Sequence, residues 1–195
     1  FKPNPRSTEA GESRTGRNVL GYVDNGAENT IIIGAHYDHL GMGVFSSRST
    51  GEPAIHNGAD DNASGVAAML RLAQYFASGA EPSNNYLFMA FSGEELGLYG
   101  SKHFASNPTL DLSKVNFMLN LDMVGRLNDE KSLAVSGVGT SPAWKTAMES
   151  IEVGGIKVVA SESGVGPSDH TSFYLQDLPV LHFFTGQHEQ YHKPE

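Results

Sequence analysis

The chain has 195 residues, enough for one domain with a sizeable core, and its 39% hydrophobic and 18% charged content is that of a globular protein. A net charge of -9 with no basic stripe argues against a nucleic-acid binder, and no apolar run approaches the ~20 residues of a membrane-spanning helix. The absence of cysteine excludes both a disulfide framework and a thiolate metal site.

In chain order, the lead-in over residues 1–17 is polar, rich in Pro, Ser and Gly, and reads as a linker. Asn18–Val23 and Asn29–His36 read as strands around a turn-forming "DNGAEN". A long Gly/Ser loop comes next, of a length that inside compact domains is usually functional. Ser64 or Asn62 caps a helix running to about Ala77, with Val66, Met69, Leu70, Ala73 and Phe76 on one face. Tyr86–Phe91 is a strand, "GLYGSKHFAS" a short helix, and Val115–Gly125 a further strand. "SLAVSGV" and "IKVVASE" read as strands around a helix over "SPAWKTAMESI"; "TSFYLQ" is helical and "PVLHFFTG" is the last buried strand. The alternation predicts a three-layer α/β/α sandwich with a mixed, mostly parallel central sheet. The chain opens at Phe1 without a methionine or a signal-peptide pattern and closes at Glu195 soon after a histidine. It therefore reads as a processed or trimmed piece of a longer polypeptide.

Ligands of open α/β sheets bind outside the carboxyl ends of the strands, so the residues at each strand's carboxyl end are informative. "TIIIGA" leads to His36 and Asp38, "YLFMAF" to Glu94 and Glu95, "VNFMLNL" to Asp122, and "PVLHFFTG" towards His188 and His192. Asp60 and Asp61 precede the first long helix. A single exposed acid is ordinarily a solvated charge, and a lone histidine usually holds no metal. Asp122 among Leu121, Met123 and Val124, and the adjacent Glu94 and Glu95, nevertheless need a positive partner. A divalent cation supplies one, and two histidines with three carboxylates suit Zn²⁺ or a similar borderline metal.

Five motifs, "GAHYDHLG", "NGADDNASG", "FSGEELGLYGS", "LNLDMVG" and "YHKPE", occur in the order and spacing of one family. Over about residues 18–195 the chain resembles the co-catalytic dizinc exopeptidases, which include bacterial leucyl-type aminopeptidases, glutamate carboxypeptidase II and the glutaminyl cyclases. The resemblance implies a metallopeptidase domain over 18–195 with two zinc ions, other divalent metals being possible. It assigns His36 to one metal, Asp38 to orienting that histidine, Asp61 to bridging, Glu95 and Asp122 to terminal ligation, and His192 to the last ligand position. His170 in "GPSDHTSF" competes for that last role and otherwise shapes the substrate pocket. His39, His56, His103, His182 and His188 match no role and default to surface or packing.

The implied activity is release of N-terminal residues from peptides by a metal-bound hydroxide. Glu94 acts as general base and Tyr191 helps to stabilise the oxyanion, unless that ring only packs the rim. The competing readings on the same fold are a glutaminyl cyclase, for which "GADDNASG" looks too peptidase-like, and a carboxypeptidase or dipeptidase, for which Arg126 is the nearest basic residue. A non-catalytic binding domain is a further alternative, weakened because all five ligands and the base are present. A serine hydrolase is not indicated, since nothing reads Gly-x-Ser-x-Gly and Ser168, Asp169 and His170 are consecutive. Residue preference is expected to come from the loops around Met42–Phe45 and Ser163–Phe173. By analogy with relatives the protein is secreted or periplasmic, its partner is a peptide substrate, and an additional N-terminal domain precedes it in the full-length protein.

Overall fold

In the computed structural model, residues 13–151 and 154–194 are described. Among these residues seven strands form one sheet: β1 (Val19–Val23), β2 (Thr30–His36), β3 (Asn85–Phe91), β4 (Val115–Leu121), β5 (Ser132–Ser136), β6 (Lys157–Ser161) and β7 (Val180–Phe184). Their order is β1-β3-β2-β4-β7-β5-β6. The block β3-β2-β4-β7 is parallel throughout; β1 joins β3 and β5 joins β7 antiparallel, and β6 pairs parallel with β5. The mixed, mostly parallel sheet expected from the alternation is present. Of the 1–17 lead-in, residues 1–12 lie outside the described residues; residues 13–17 are exposed and form neither helix nor strand.

The period of two in β2 and β3 divides the core into two layers. Ile32, Leu87, Met89 and Phe91 face one side, where Phe104 of α2 (Tyr99–Ser106) and Phe173 of α4 (His170–Tyr174) pack on them. Ile33, Tyr86 and Phe88 face the other side and meet Met69 and Phe76 of α1 (Gly65–Ala77). Helix α3 (Pro142–Ser150) begins with Pro142, and the side chain of Ser141 accepts a hydrogen bond from the Ala143 N–H as its N-cap. The edge strand β1 is largely exposed, which an apolar "VLGYV" did not suggest.

The connection leaving β2 runs through α1 on one face, and that leaving β3 runs through α2 on the other. The loops therefore separate above β2 and β3 and open a crevice at the carboxyl ends of four neighbouring parallel strands. Strand β4 stops at Leu121, four residues short of the sequence reading. Met123 takes a left-handed φ of +53° and the chain turns away from the sheet, which leaves Asp122 at the strand's carboxyl end facing the crevice.

Candidate metal centre

His36 is the last residue of β2, Asp122 comes directly after β4, and Glu94 and Glu95 lie beyond β3 after the turn at Ser92 and Gly93. Asp61 sits on the irregular segment Ala59–Ser64 that leads into α1, and the Asp61–Asn62 peptide is cis. Asn62 fastens this segment to the end of β4: its Nδ2 donates to the Leu121 carbonyl at 2.9 Å, and its Oδ1 accepts from the N–H groups of Met123 and Gly65 at 3.2 and 3.0 Å. Of the two residues offered as helix caps, Asn62 is the one whose side chain receives a helical N–H. Gly65 leaves room for this clamp, since a Cβ there would collide with the Leu121 carbonyl and the Asn62 side chain.

His192 arrives from the loop after β7, with a left-handed φ of +58°. That loop is held across the crevice by the Arg48 N–H on the His192 carbonyl, and His192 Nδ1 lies 2.9 Å from the Ser46 carbonyl.

These side chains converge around Asp61. His36 Nε2 is 3.2 Å from Asp61 Oδ1 and 3.3 Å from Asp122 Oδ1. His192 Nε2 is 3.2 Å from Asp61 Oδ2 and 3.1 Å from Glu95 Oε2. Each oxygen of Asp61 thus faces its own histidine and carboxylate. The adjacent glutamates diverge as well: Glu94 groups with His36 and Asp122, Glu95 with His39 and Asp61. Asp38 stands behind His36, whose Nδ1 is 3.0 Å from the Asp38 backbone carbonyl and 4.0 Å from its carboxylate. That carboxylate accepts the Glu94 N–H at 3.3 Å, so Asp38 links the histidine to the turn carrying the paired acids.

The electrostatics arise from four acids packed with three imidazoles, those of His36, His39 and His192. Burial raises Asp61, Glu95 and Asp122, but the neighbouring histidines outweigh it and hold all three below the usual carboxylate range. Glu94 goes the other way: burial, joined by the charges of Asp169, Asp122 and Glu95, holds it well above that range. Burial pulls His192 down, and the carboxylates of Asp61 and Glu95 more than compensate, to about 10. Burial of Tyr191, with the same acids nearby, pushes its hydroxyl up to about 12, so it stays a hydrogen-bond donor at neutral pH. Its ring stacks on His192 at 3.9 Å, and the Arg48 guanidinium lies 4.8 Å over it.

The residues fit a pair of cations. Four carboxylates outnumber the three histidines of a partly buried site, and among the described residues the ion pairs of Asp61, Glu95 and Asp122 are all with histidine. His192 Nε2 is buried within 3.2 Å of an oxygen of Asp61 and 3.1 Å of an oxygen of Glu95, a convergence of donor atoms suited to an ion once the imidazole gives up its proton. Nitrogen and oxygen donors in this proportion suit zinc.

His170 does not join this group. It is fully buried, its ring nitrogens have no hydrogen-bond partner among the described residues, and it lies flat on His182 at 4.4 Å. Burial and then His182 push it down to about 3. His39 had no role from the sequence, yet its Nδ1 lies 2.7 Å from Glu95 Oε1. Its place three residues after His36, on the same strand-end loop, was the available signal. His188, treated as surface or packing, pairs with Asp60 at 3.3 Å. The cleft beside the cluster has a volume of ≈ 620 Å³, with Pro167, Ser168, His182 and Phe184 on its walls. One of the two loops expected to shape it contributes Pro167 and Ser168, whereas Met42–Phe45 do not line it.

The model of peptidase family M28 matches residues 18–195. The chain belongs to this family. It is 34% identical over 178 residues to Aminopeptidase YwaD of Bacillus subtilis, covering 85% of this chain and 35% of that protein. Among solved structures it resembles BSAP, a zinc aminopeptidase from Bacillus subtilis, with a TM-score of 0.70 at 28% identity over 91% of this chain and 43% of that one. The glutaminyl cyclase of Porphyromonas gingivalis gives a TM-score of 0.73 at 19% identity, covering 94% of this chain and 70% of that one, a likeness of fold alone. The M28 chain spans about a third of the length of the curated relatives it matches. The family expected from the five motifs and the α/β architecture are both borne out.

Proposed function

We propose that the chain carries the catalytic centre of a dizinc aminopeptidase that releases N-terminal residues from peptides. The observation that supports this reading is Asp61, whose two oxygens face separate pairs, His36 with Asp122 and His192 with Glu95. His36, Asp61 and Asp122 would hold one zinc ion, and Asp61, Glu95 and His192 the other. Zinc held there supplies Lewis acidity, which polarises the scissile carbonyl and acidifies water towards neutral pH.

The protein's own groups do the rest. Glu94, on the His36 side of the cluster and not needed as a ligand, takes the proton of the attacking water as the C–O bond forms. It returns that proton to the departing amine as the C–N bond breaks. Tyr191, protonated at neutral pH and on the cleft wall, donates to the developing oxyanion. The surrounding acids attract a free α-ammonium group, which restricts attack to the first residue.

Two of the basic residues nearby are turned to other partners, which disfavours them as grips for a C-terminal carboxylate. Arg126 Nη1 donates to Gln190 at 2.7 Å, and Lys102 on the cleft wall donates to the Gly97 carbonyl at 2.9 Å. No helix among the described residues is long and apolar enough to cross a membrane. An address outside the cytoplasm and a preceding domain belong to the same reading. The test is hydrolysis of aminoacyl-4-nitroanilides with and without chelator. Chelator-sensitive release is expected; no release from any of them, together with cyclisation of N-terminal glutamine, would replace the peptidase with a cyclase.

A further inference from the structure

Each terminal carboxylate of the cluster turns one oxygen towards a histidine across the site, while its second oxygen is held by the protein. In Glu95, Oε2 faces His192 and Oε1 lies 2.7 Å from His39 Nδ1. In Asp122, Oδ1 faces His36 and Oδ2 accepts the Ser168 hydroxyl at 2.7 Å. The two tethers come from different parts of the chain, the loop after β2 and the residue pair before α4, and both are short charge-assisted hydrogen bonds.

Both donors have their direction fixed. A carboxylate can only accept, so Nδ1 of His39 carries the proton. The imidazole is wedged edge-on against His192, with ring centroids 5.8 Å apart. It also lies over Gly58, where a Cβ would come within 2.8 Å of its Cγ. Ser168 is 1% exposed and accepts from Asn120 Nδ2 at 2.8 Å, which leaves its own hydroxyl proton to Asp122. Asn120 Nδ2 also lies 3.1 Å from His182 Nδ1, so the serine is backed by a buried polar chain. Such outer contacts settle how a carboxylate presents itself to an ion, and losing one typically costs roughly 10–100-fold in metal affinity.

We infer that His39 and Ser168 are positioning residues: His39 holds Glu95, and Ser168 holds Asp122, with a single oxygen turned inward, and each governs one metal position separately. This rests on the two-ion reading above. His39 thus acts on the position that Glu95 shares with His192, and Ser168 on the position that Asp122 shares with His36.

The experiment is calorimetric titration of Zn²⁺ into the metal-free protein, comparing wild type with His39→Ala, Ser168→Ala and the conservative His39→Asn and Ser168→Thr. Wild type is expected to bind two ions. His39→Ala is expected to weaken one binding event about 10–100-fold and leave the other unchanged, and Ser168→Ala to do the reverse. Asparagine at 39 and threonine at 168 retain a donor and are expected to restore most of the affinity, which a purely structural defect would not allow. Adding His39→Ala to Glu95→Gln is expected to change nothing further, whereas adding it to Asp122→Asn retains its full effect. Melting of each metal-free variant within a few degrees of wild type shows that the fold is intact.

Equal weakening of both events by either alanine variant, no weakening at all, or failure of both conservative variants to restore affinity would overturn the inference. So would loss of one ion in His39→Ala while His192→Ala keeps two, since His39 would then be a ligand. A wild type that binds fewer than two ions overturns the two-ion reading, and the inference with it.

Discussion

Replacing Glu94 by glutamine separates its chemistry from its electrostatic cost. Its carboxylate lies within 4.8 Å of the ligand atoms of Asp122 and His36. At that separation and an effective dielectric of ~20, each like-charge pair repels by about 3 kcal/mol. The attraction of His36 offsets part of this, and Asp169 and Glu95 add to the repulsion. Burial with these charges holds Glu94 well above the usual carboxylate range. The protonated carboxyl therefore favours the metal-free fold at low pH, and that contribution is lost as pH rises through its folded-state pKa. Glutamine keeps the shape without the charge, so metal-free Glu94→Gln is expected to be about 1–3 kcal/mol more stable than wild type at neutral pH. That corresponds to a melting temperature roughly 2–12 °C higher for a chain of this size. Below the unfolded carboxyl's range the gain disappears. Turnover of an aminoacyl-4-nitroanilide should fall by about 10²–10⁴, equivalent to about 3–5.5 kcal/mol of barrier, with zinc content unchanged. Calorimetry with chelator and steady-state kinetics with zinc measure the two halves. Activity within tenfold of wild type, or a lower metal-free melting temperature, would refute the assignment.

Gly65→Ala places a methyl against the Leu121 carbonyl and Asn62, so it should cost about 1–3 kcal/mol and weaken zinc binding through Asp61; wild-type melting and affinity would contradict the clamp. Phe173→Ala empties the contact with Phe91 and Phe104 in the core layer beneath the crevice, with an expected loss of about 3–5 kcal/mol in denaturant unfolding. His170, pushed down to about 3 by burial and His182, is neutral in the fold while an unfolded histidine titrates near 6.5. The unfolded chain takes up the proton first, so this site's stability is full above 6.5 and falls as pH drops towards 3. Between pH 7 and 5 the loss is about 2 kcal/mol, and His170→Leu should abolish that share of the pH dependence.

The strands were legible because apolar runs such as "TIIIGAH" and "YLFMAF" carry their own signal, and the parallel block then determined which strand ends share an edge. His36, Glu94, Glu95 and Asp122 could be picked out because each terminates such a run or follows it within four residues. The termination of β4 at Leu121 was not legible, since it depends on the left-handed turn at Met123 and on Asn62 capturing its N–H. His39 was hidden for a similar reason. Its partner Glu95 lies 56 residues away, and only the folded loop after β2 aims the ring at it. Ser168 stood in "PSDH", where the consecutive Ser, Asp and His ruled out a triad and only His170 was weighed as a ligand; its contacts with Asn120 and Asp122 exist only across the assembled sheet edge. The apolar edge strand β1 shows the complementary limit: alternation indicates a strand but not whether anything covers its faces.

Anomalous scattering at the zinc edge from zinc-loaded crystals tests the central claim most directly. Two peaks are predicted, one beside each oxygen of Asp61, the first also next to His36 and Asp122 and the second next to Glu95 and His192. A single peak, or a peak at His170 and His182, would contradict it.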